Sequence, residues 1–389
     1  MLSRRLVGLA SILALSLGMA AGCDLFRSVP PLDTGDDSEV DAEIPIEATA
    51  ATDAPTAVCD AGTDPCGCLP EVRSVNCGLG DQSVLGLGVA GANLYWTVSN
   101  GQATPLCFAR IDADSGGGEL NPRSLQSYYG DSFALDSQRL YTGSTNSAQD
   151  GSAIEWAPLD DASVPFGPLL ATPTRWIVNL RATPAGLYWI DDNSDICTCS
   201  LSGGARPGDS GCGGGVLLAG PPADAGPPAN TNPATLDQLA VTASFAFQSR
   251  YETGELVQFS LDGGGLTLVA SAPPGTGQPV VASDTDVVWG NPLTHTINRL
   301  FLADGSRSIL TDAAATPGLA MDDASVYFAA LTADAGLYRI MKVPVAGGAP
   351  RILACAPEKI DFKPDFIVVD DQNVYWASRQ DQNIYIVPK

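Results

Sequence analysis

Apolar and polar positions follow one order that returns from about residue 85 to the end of the sequence. An apolar run leads into a turn that often carries Asp. A short aromatic phrase follows, then a polar turn, an alternating run and a pair of glycines. The phrase is clearest in Leu94-Tyr95-Trp96, Leu187-Tyr188-Trp189, Val326-Tyr327-Phe328 and Val374-Tyr375-Trp376. Weaker copies are Leu140-Tyr141-Thr142, Phe245-Ala246-Phe247 and Val287-Val288-Trp289. Side chains that alternate between apolar and polar describe strands with one buried face. Successive copies lie 39 to 58 residues apart. That period suits a four-stranded propeller blade and is long for ankyrin or leucine-rich repeats. No segment keeps an apolar stripe of 3.6-residue period, which excludes helical solenoids.

The pattern therefore predicts an all-β, seven-bladed β-propeller of four-stranded antiparallel blades, with six or eight blades as the alternative counts. Blade six shows the four strands, a to d from the axis outward, over 318–321, 325–331, 337–345 and 350–354. Asp322-Asp323-Ala324 turns the chain between the first two, and Gly347-Gly348 between the last two. Tyr327 and Phe328 then point to opposite faces of strand b, so that each wedges against a different neighbouring blade. The last repeat has three strands, 366–370, 373–378 and 383–387, and lacks the fourth. Val72-Arg73-Ser74-Val75-Asn76-Cys77 matches strand d of blade six, Pro350-Arg351-Ile352-Leu353-Ala354-Cys355. Residues 71–77 are expected to supply the missing outer strand and close the ring. The longest interval holds a Gly- and Pro-rich stretch from Gly203 to about Pro233, read as a surface insertion.

Upstream of the repeats the pattern changes. Arg4-Arg5 precede an apolar stretch from Leu6 to Met19, too short for a comfortable membrane span, and small residues follow. This is the composition of a secretory signal. Ala20-Ala21-Gly22-Cys23 resembles a bacterial lipobox, although Ala20 stands where Leu is usual. The resemblance implies cleavage after residue 22 and a lipid on Cys23, which would hold the protein on a membrane. Asp24 leaves the choice of inner or outer membrane open. From Leu25 to about Thr63 the chain is acidic and rich in Pro, Ala and Thr, with Arg27 as its single base. Such a segment buries too little apolar surface to offset its ordering entropy. The expected organisation is a signal peptide over 1–22, a lipidated cysteine and acidic linker over 23–68, and a propeller over 69–389.

Composition narrows the partners. Twenty Lys and Arg against 44 Asp and Glu leave a formal charge of −24. A binder of nucleic-acid backbones needs clustered bases, so nucleic acid is excluded as a partner. Of the ten cysteines, the nine after Cys23 read as disulfides of an exported, monomeric domain, with one thiol over. Cys212 lies one hairpin from Cys197 and Cys199, and one of these two is expected to pair with it.

Leu187-Tyr188-Trp189-Ile190-Asp191, with Cys199-Ser200-Leu201-Ser202-Gly203-Gly204 downstream, resembles the YWTD repeat of low-density-lipoprotein-receptor propellers. Leu94-Tyr95-Trp96-Thr97, Phe259-Ser260-Leu261-Asp262-Gly263 and Asn373-Val374-Tyr375-Trp376 are similar. Exported bacterial lipoproteins carry such repeats as well. The resemblance spans about 69–389 and implies a fold. It departs from the family in having seven repeats, not six, and the Asp of the motif appears in the third repeat alone. Structural motifs of this kind transfer no binding residue.

Candidate chemistry is sparse. His295 is the one histidine; it falls in a turn between strands b and c, with no nucleophile at a recognisable elbow, and reads as a solvated loop residue. Asp191-Asp192-Asn193-Ser194-Asp195 begins like a calcium loop but lacks the Gly and Glu such a loop requires, so it reads as a hairpin turn. Asp131, Asn179, Asp237, Gln278 and Asp365 stand nine or ten residues before the second residue of the phrase, where repeat geometry rings one mouth of the central channel. Oxygen ligands converging there would suit Ca²⁺, the one cofactor the composition suggests. Loops on the same face carry Tyr128, Tyr129, Arg175, Trp176, Lys359 and Lys363, residue types suited to a protein or glycan partner. The sequence thus reads as a lipid-anchored, exported binding or scaffolding module of a bacterial envelope. The alternative is a Ca-dependent hydrolase or lyase working at the channel mouth.

Overall fold

The computed structural model describes residues 72–76, 83–99, 104–111, 119–125, 133–146, 151–160, 166–172, 177–191, 195–201, 238–312, 315–331, 338–356 and 363–389. These form 27 strands in seven antiparallel sheets, each made of consecutive strands except where the ring closes. Six sheets have four strands, and the third blade shows three among the described residues. Blade six runs Ala315–Met321, Ser325–Leu331, Tyr338–Pro344 and Arg351–Cys355, within a few residues of the predicted bounds. Gly347, at φ 90°, makes its outer hairpin turn in a region where a Cβ would be strained.

Closure follows the sequence reading. Arg73–Val75 pairs antiparallel with Ile384–Pro388, the third strand of blade seven, in the register Arg73↔Ile386, Ser74↔Tyr385, Val75↔Ile384. Both ends of the ring thus meet in one sheet, which leaves the blade with a complete set of four strands.

The core is divided among the blade interfaces. Seven clusters of buried side chains occupy the seven interfaces, one each, including the one between blades seven and one. The aromatic phrase builds them. Tyr327 packs toward blade seven beside Trp376, whereas its neighbour Phe328 packs toward blade five beside Val288. Alternation along strand b sends the second residue of the phrase to the following blade and the third to the preceding one. Trp96, Trp189 and Trp376 are fully buried at that third position. Burying a side chain of this size contributes roughly 3 kcal/mol.

Blade four departs from the expected phrase by one residue. Phe247, not Ala246, occupies the second position: it pairs with Ala240 and packs on Trp289 of blade five, whereas Ala246 packs in the cluster shared with Tyr188. Thr242, which caps the preceding turn through Oγ1, stands five residues before Phe247, as Asp136 does before Tyr141. The polar Gln248 fills the third place and is fully buried. Phe245 and Phe247 both look like phrase aromatics, and periodicity alone cannot choose between them.

Candidate functional site

The innermost strands of the seven blades surround the axis. A cavity of about 440 Å³ lies among them, lined by Gly88, Ala134, Arg181, Ala240, Val281, Ala320 and Val368 among others. A second cavity of about 630 Å³ opens at the end where these strands begin, lined by Asn179, Arg181, Gln238, Tyr251, Lys363, Asp365 and Arg379 together with apolar residues. Arg181 and Gln238 line both.

Several elements build the mouth. Val178–Thr183, the inner strand of blade three, carries a bulge between Val178 and Arg181, and Asn179 within it has φ 52°. Asn is among the few residues with a Cβ that visit this left-handed region readily. A bulge bends a strand and re-aims its side chains. The Arg379 guanidinium lies 5.2 Å from the centre of the Phe366 ring, and its backbone N–H donates to Asp365 Oδ2 at 2.9 Å. Burial, followed by the nearby Asp365 charge, pushes the Tyr338 phenol up.

Arg181 stands apart from its counterparts. Register across the first two strands places one residue of each blade opposite the second position of the phrase. These are Gly88, Ala134, Arg181, Ala240, Val281, Ala320 and Val368. Six are small or apolar and one is a cation. The site is tight: a Cβ on Gly88 would fall 2.7 Å from Leu135 Cδ1 and 2.8 Å from Phe133 Cε1. Arg181 Nε donates to the carbonyl of Leu239 at 2.9 Å and Nη1 to that of Leu180 at 3.0 Å. No carboxylate pairs with it among the described residues. Burial lowers its pKa to about 10.

The residues expected from the sequence are distributed as follows. Asn179 and Asp365 both line the mouth. Gln278 is fully buried, with its backbone N–H on Ser249 Oγ at 3.1 Å and its side-chain Nε2 on the Gly254 carbonyl at 2.8 Å. It ties a loop to the blade-four hairpin. Asp131 and Asp237 lie outside the described residues. Among the described residues no group of three or more His, Cys, Asp and Glu could hold a metal ion. Lys363 is exposed and lines the mouth, while Tyr128, Tyr129, Arg175, Trp176 and Lys359 lie outside the described residues, as do Cys23 and Cys212. His295 is exposed in the turn after Asn291, and Asp191 Oδ1 accepts the Asp195 N–H at 3.0 Å in its hairpin. Arg181 escaped the sequence reading, although a lone cation in an apolar inner strand, Ile177-Val178-Asn179-Leu180-Arg181-Ala182, was its signal.

No protein-family model matches the chain, and no curated protein sequence matches it. Solved structures do. Virginiamycin B lyase from Staphylococcus aureus superposes on 82% of this chain and 99% of its own, with 10% identity and a TM-score of 0.57. A catalytically inactive variant of that lyase with quinupristin gives the same coverage and identity with a TM-score of 0.55. A nidogen/laminin complex covers 62% of this chain and 85% of its own at 15% identity and a TM-score of 0.41. At these identities the likeness is one of fold.

Proposed function

We propose that the protein is an exported, lipid-anchored β-propeller that binds a partner or ligand at the strand-start mouth of its channel. One observation carries the reading. In a chain of formal charge −24, Arg181, Lys363 and Arg379 converge on one cavity of about 630 Å³. Cations gathered in a concave surface of an otherwise acidic protein mark a place where negative charge is received. Apolar lining from Leu85, Leu87, Phe133 and Phe366 supplies contact area beside them.

The proposed compartment rests on the sequence before residue 24 and on cysteine chemistry. Cys107, Cys197, Cys199 and Cys355 are read as disulfide partners in this proposal, in keeping with an oxidising environment. Pairing of Cys197 or Cys199 with Cys212 remains part of this proposal. Acyl chains on Cys23, at about 0.8 kcal/mol per buried methylene, would keep the domain at a membrane surface. Cys23→Ala is expected to move the protein from the membrane to the soluble fraction of an exporting bacterial host.

Photo-cross-linking tests the binding face. A photoreactive side chain at position 363 on the mouth should capture discrete partners, and one at position 323, on the opposite face, should not. Equal capture at both, or capture at 323 alone, would remove the mouth as the binding face.

A further inference from the structure

We infer that Arg181 anchors a carboxylate-binding site inside the mouth, for a ligand whose carboxylate is joined to an apolar body such as a peptide C-terminus. The inference rests on the mouth being the ligand face and adds the chemistry that the face selects.

The ring register carries it. Six blades place glycine, alanine or valine at this level, so nothing in the repeat requires a guanidinium there. Arg181 is half-buried in the cavity wall, and a cation partly withdrawn from water without an anion is costly unless a counter-charge arrives. The two backbone acceptors, Leu239 and Leu180, use the Nε–H and one N–H of Nη1. Among the described residues one N–H on Nη1 and both on Nη2 are left, and that end of the guanidinium matches the two oxygens of a carboxylate. The same two bonds hold the group in place, which lowers the entropy a ligand would have to remove.

The surroundings choose the rest of the ligand. Leu87, Phe133, Leu319 and Ile367 line both cavities, as Arg181 does. They favour an apolar side chain over the hydroxyls of an acidic sugar. Lys363 at the rim makes no hydrogen bond or ion pair among the described residues, and it adds attraction along the entry. Asp365 opposes an anion at the rim, but its Oδ2 already receives the Arg379 N–H. The opposition lies at the entrance, and among the described residues no carboxylate competes at the Arg181 level.

Calorimetry on the propeller-containing protein with two matched probes tests this. N-acetyl-leucine should bind saturably, with a Kd of about 1 mM or tighter, and N-acetyl-leucinamide at least about tenfold more weakly. Arg181→Met should remove the difference between the probes. If Arg181 only ties blades three and four together, the variant lowers the Tm while the preference for N-acetyl-leucine persists, and the inference fails. It fails equally if the wild-type protein binds both probes alike, binds neither, or prefers glucuronate. The wild-type comparison stands even if Arg181→Met does not fold. Capture at position 363 without a preference for N-acetyl-leucine would overturn this inference and leave the binding face intact.

Discussion

The Tyr375 hydroxyl donates to Asp370 Oδ2 at 2.6 Å, while Oδ1 of the same carboxylate accepts the backbone N–H groups of Gln372 and Asn373 at 2.7 Å each. One carboxylate therefore caps the turn between strands a and b and anchors the aromatic wedge that follows. Blades two and six repeat the device with Asp136 and Tyr141, and with Asp322 and Tyr327. In each of the three tyrosines burial first, and the Asp hydrogen bond second, push the phenol above its usual range. The Asp before the aromatic phrase is thus tied to the phrase itself.

Tyr375→Phe should cost about 1–2 kcal/mol, the worth of one hydrogen bond to a charged acceptor. Asp370→Ala should cost more, roughly 3 kcal/mol, because two turn N–H groups lose their partner with the hydroxyl. Urea denaturation of both variants measures the order. Equal midpoints for Asp370→Ala and the wild type would contradict the shared role.

Removing residues 69–77 should destabilise the whole ring cooperatively. Burial of Val75 alone accounts for about 2 kcal/mol, and the pairing with Ile384–Pro388 adds to it. The expected signature is one transition at a lower Tm. A truncated protein that melts with the full-length one would show that the ring does not depend on this strand.

Acid should weaken the contact between blades six and seven. The Lys389 ammonium pairs with Asp322 and lies 5.2 Å from the centre of the Tyr327 ring. Burial pushes the Asp322 carboxyl up, but hydrogen bonds from Lys389, Ala324, Tyr327 and Ser325 outweigh it and hold the pKa at about 2. The folded value lies below the ordinary 3.8, so the stabilisation is complete above about pH 4 and is lost as pH falls toward 2. Urea midpoints of the wild type should drop through this window more steeply than those of Asp322→Asn. Parallel curves would rule out the linkage.

Gly186→Ala should cost roughly 1–3 kcal/mol, because a Cβ there would lie 2.3 Å from the Cys199 backbone oxygen, and a paired strand cannot yield that much. Gly265→Ala meets nothing within 4 Å and should be close to neutral. Thermal melts of the two variants check the contrast, and similar shifts in both would contradict it.

Much of the fold was legible because it is written in local periodicity. Two-residue alternation marks each strand b, and in every blade but the first an Asp, Thr or Ser turn before it marks the end of strand a. Val72–Cys77 could be placed on blade seven because it repeats the outer strand of blade six. The phrase in blade four was misread by one residue because the deciding contacts, Phe247 with Trp289 and Thr242 with its turn, lie partly in another blade and partly in a cap without an acid.

The candidate site was less legible for a related reason. Spacing from the phrase brought Asn179 and Asp365 to the mouth, yet it gave Gln278 the same role although its side chain is buried and its Nε2 donates to the Gly254 carbonyl. Distance along the chain predicts where a residue starts, and a bulge or a buried hydrogen bond decides where its side chain goes. Sequence alone therefore determined the architecture, seven blades of repeated strands closed by a strand within residues 71–77, since each strand declares itself through its own neighbours. Only the tertiary structure decided that Arg181 is the single cation in a ring of small residues. That ring has members from seven distant segments, and the apolar surroundings that make the charge significant exist only once all seven have closed around it.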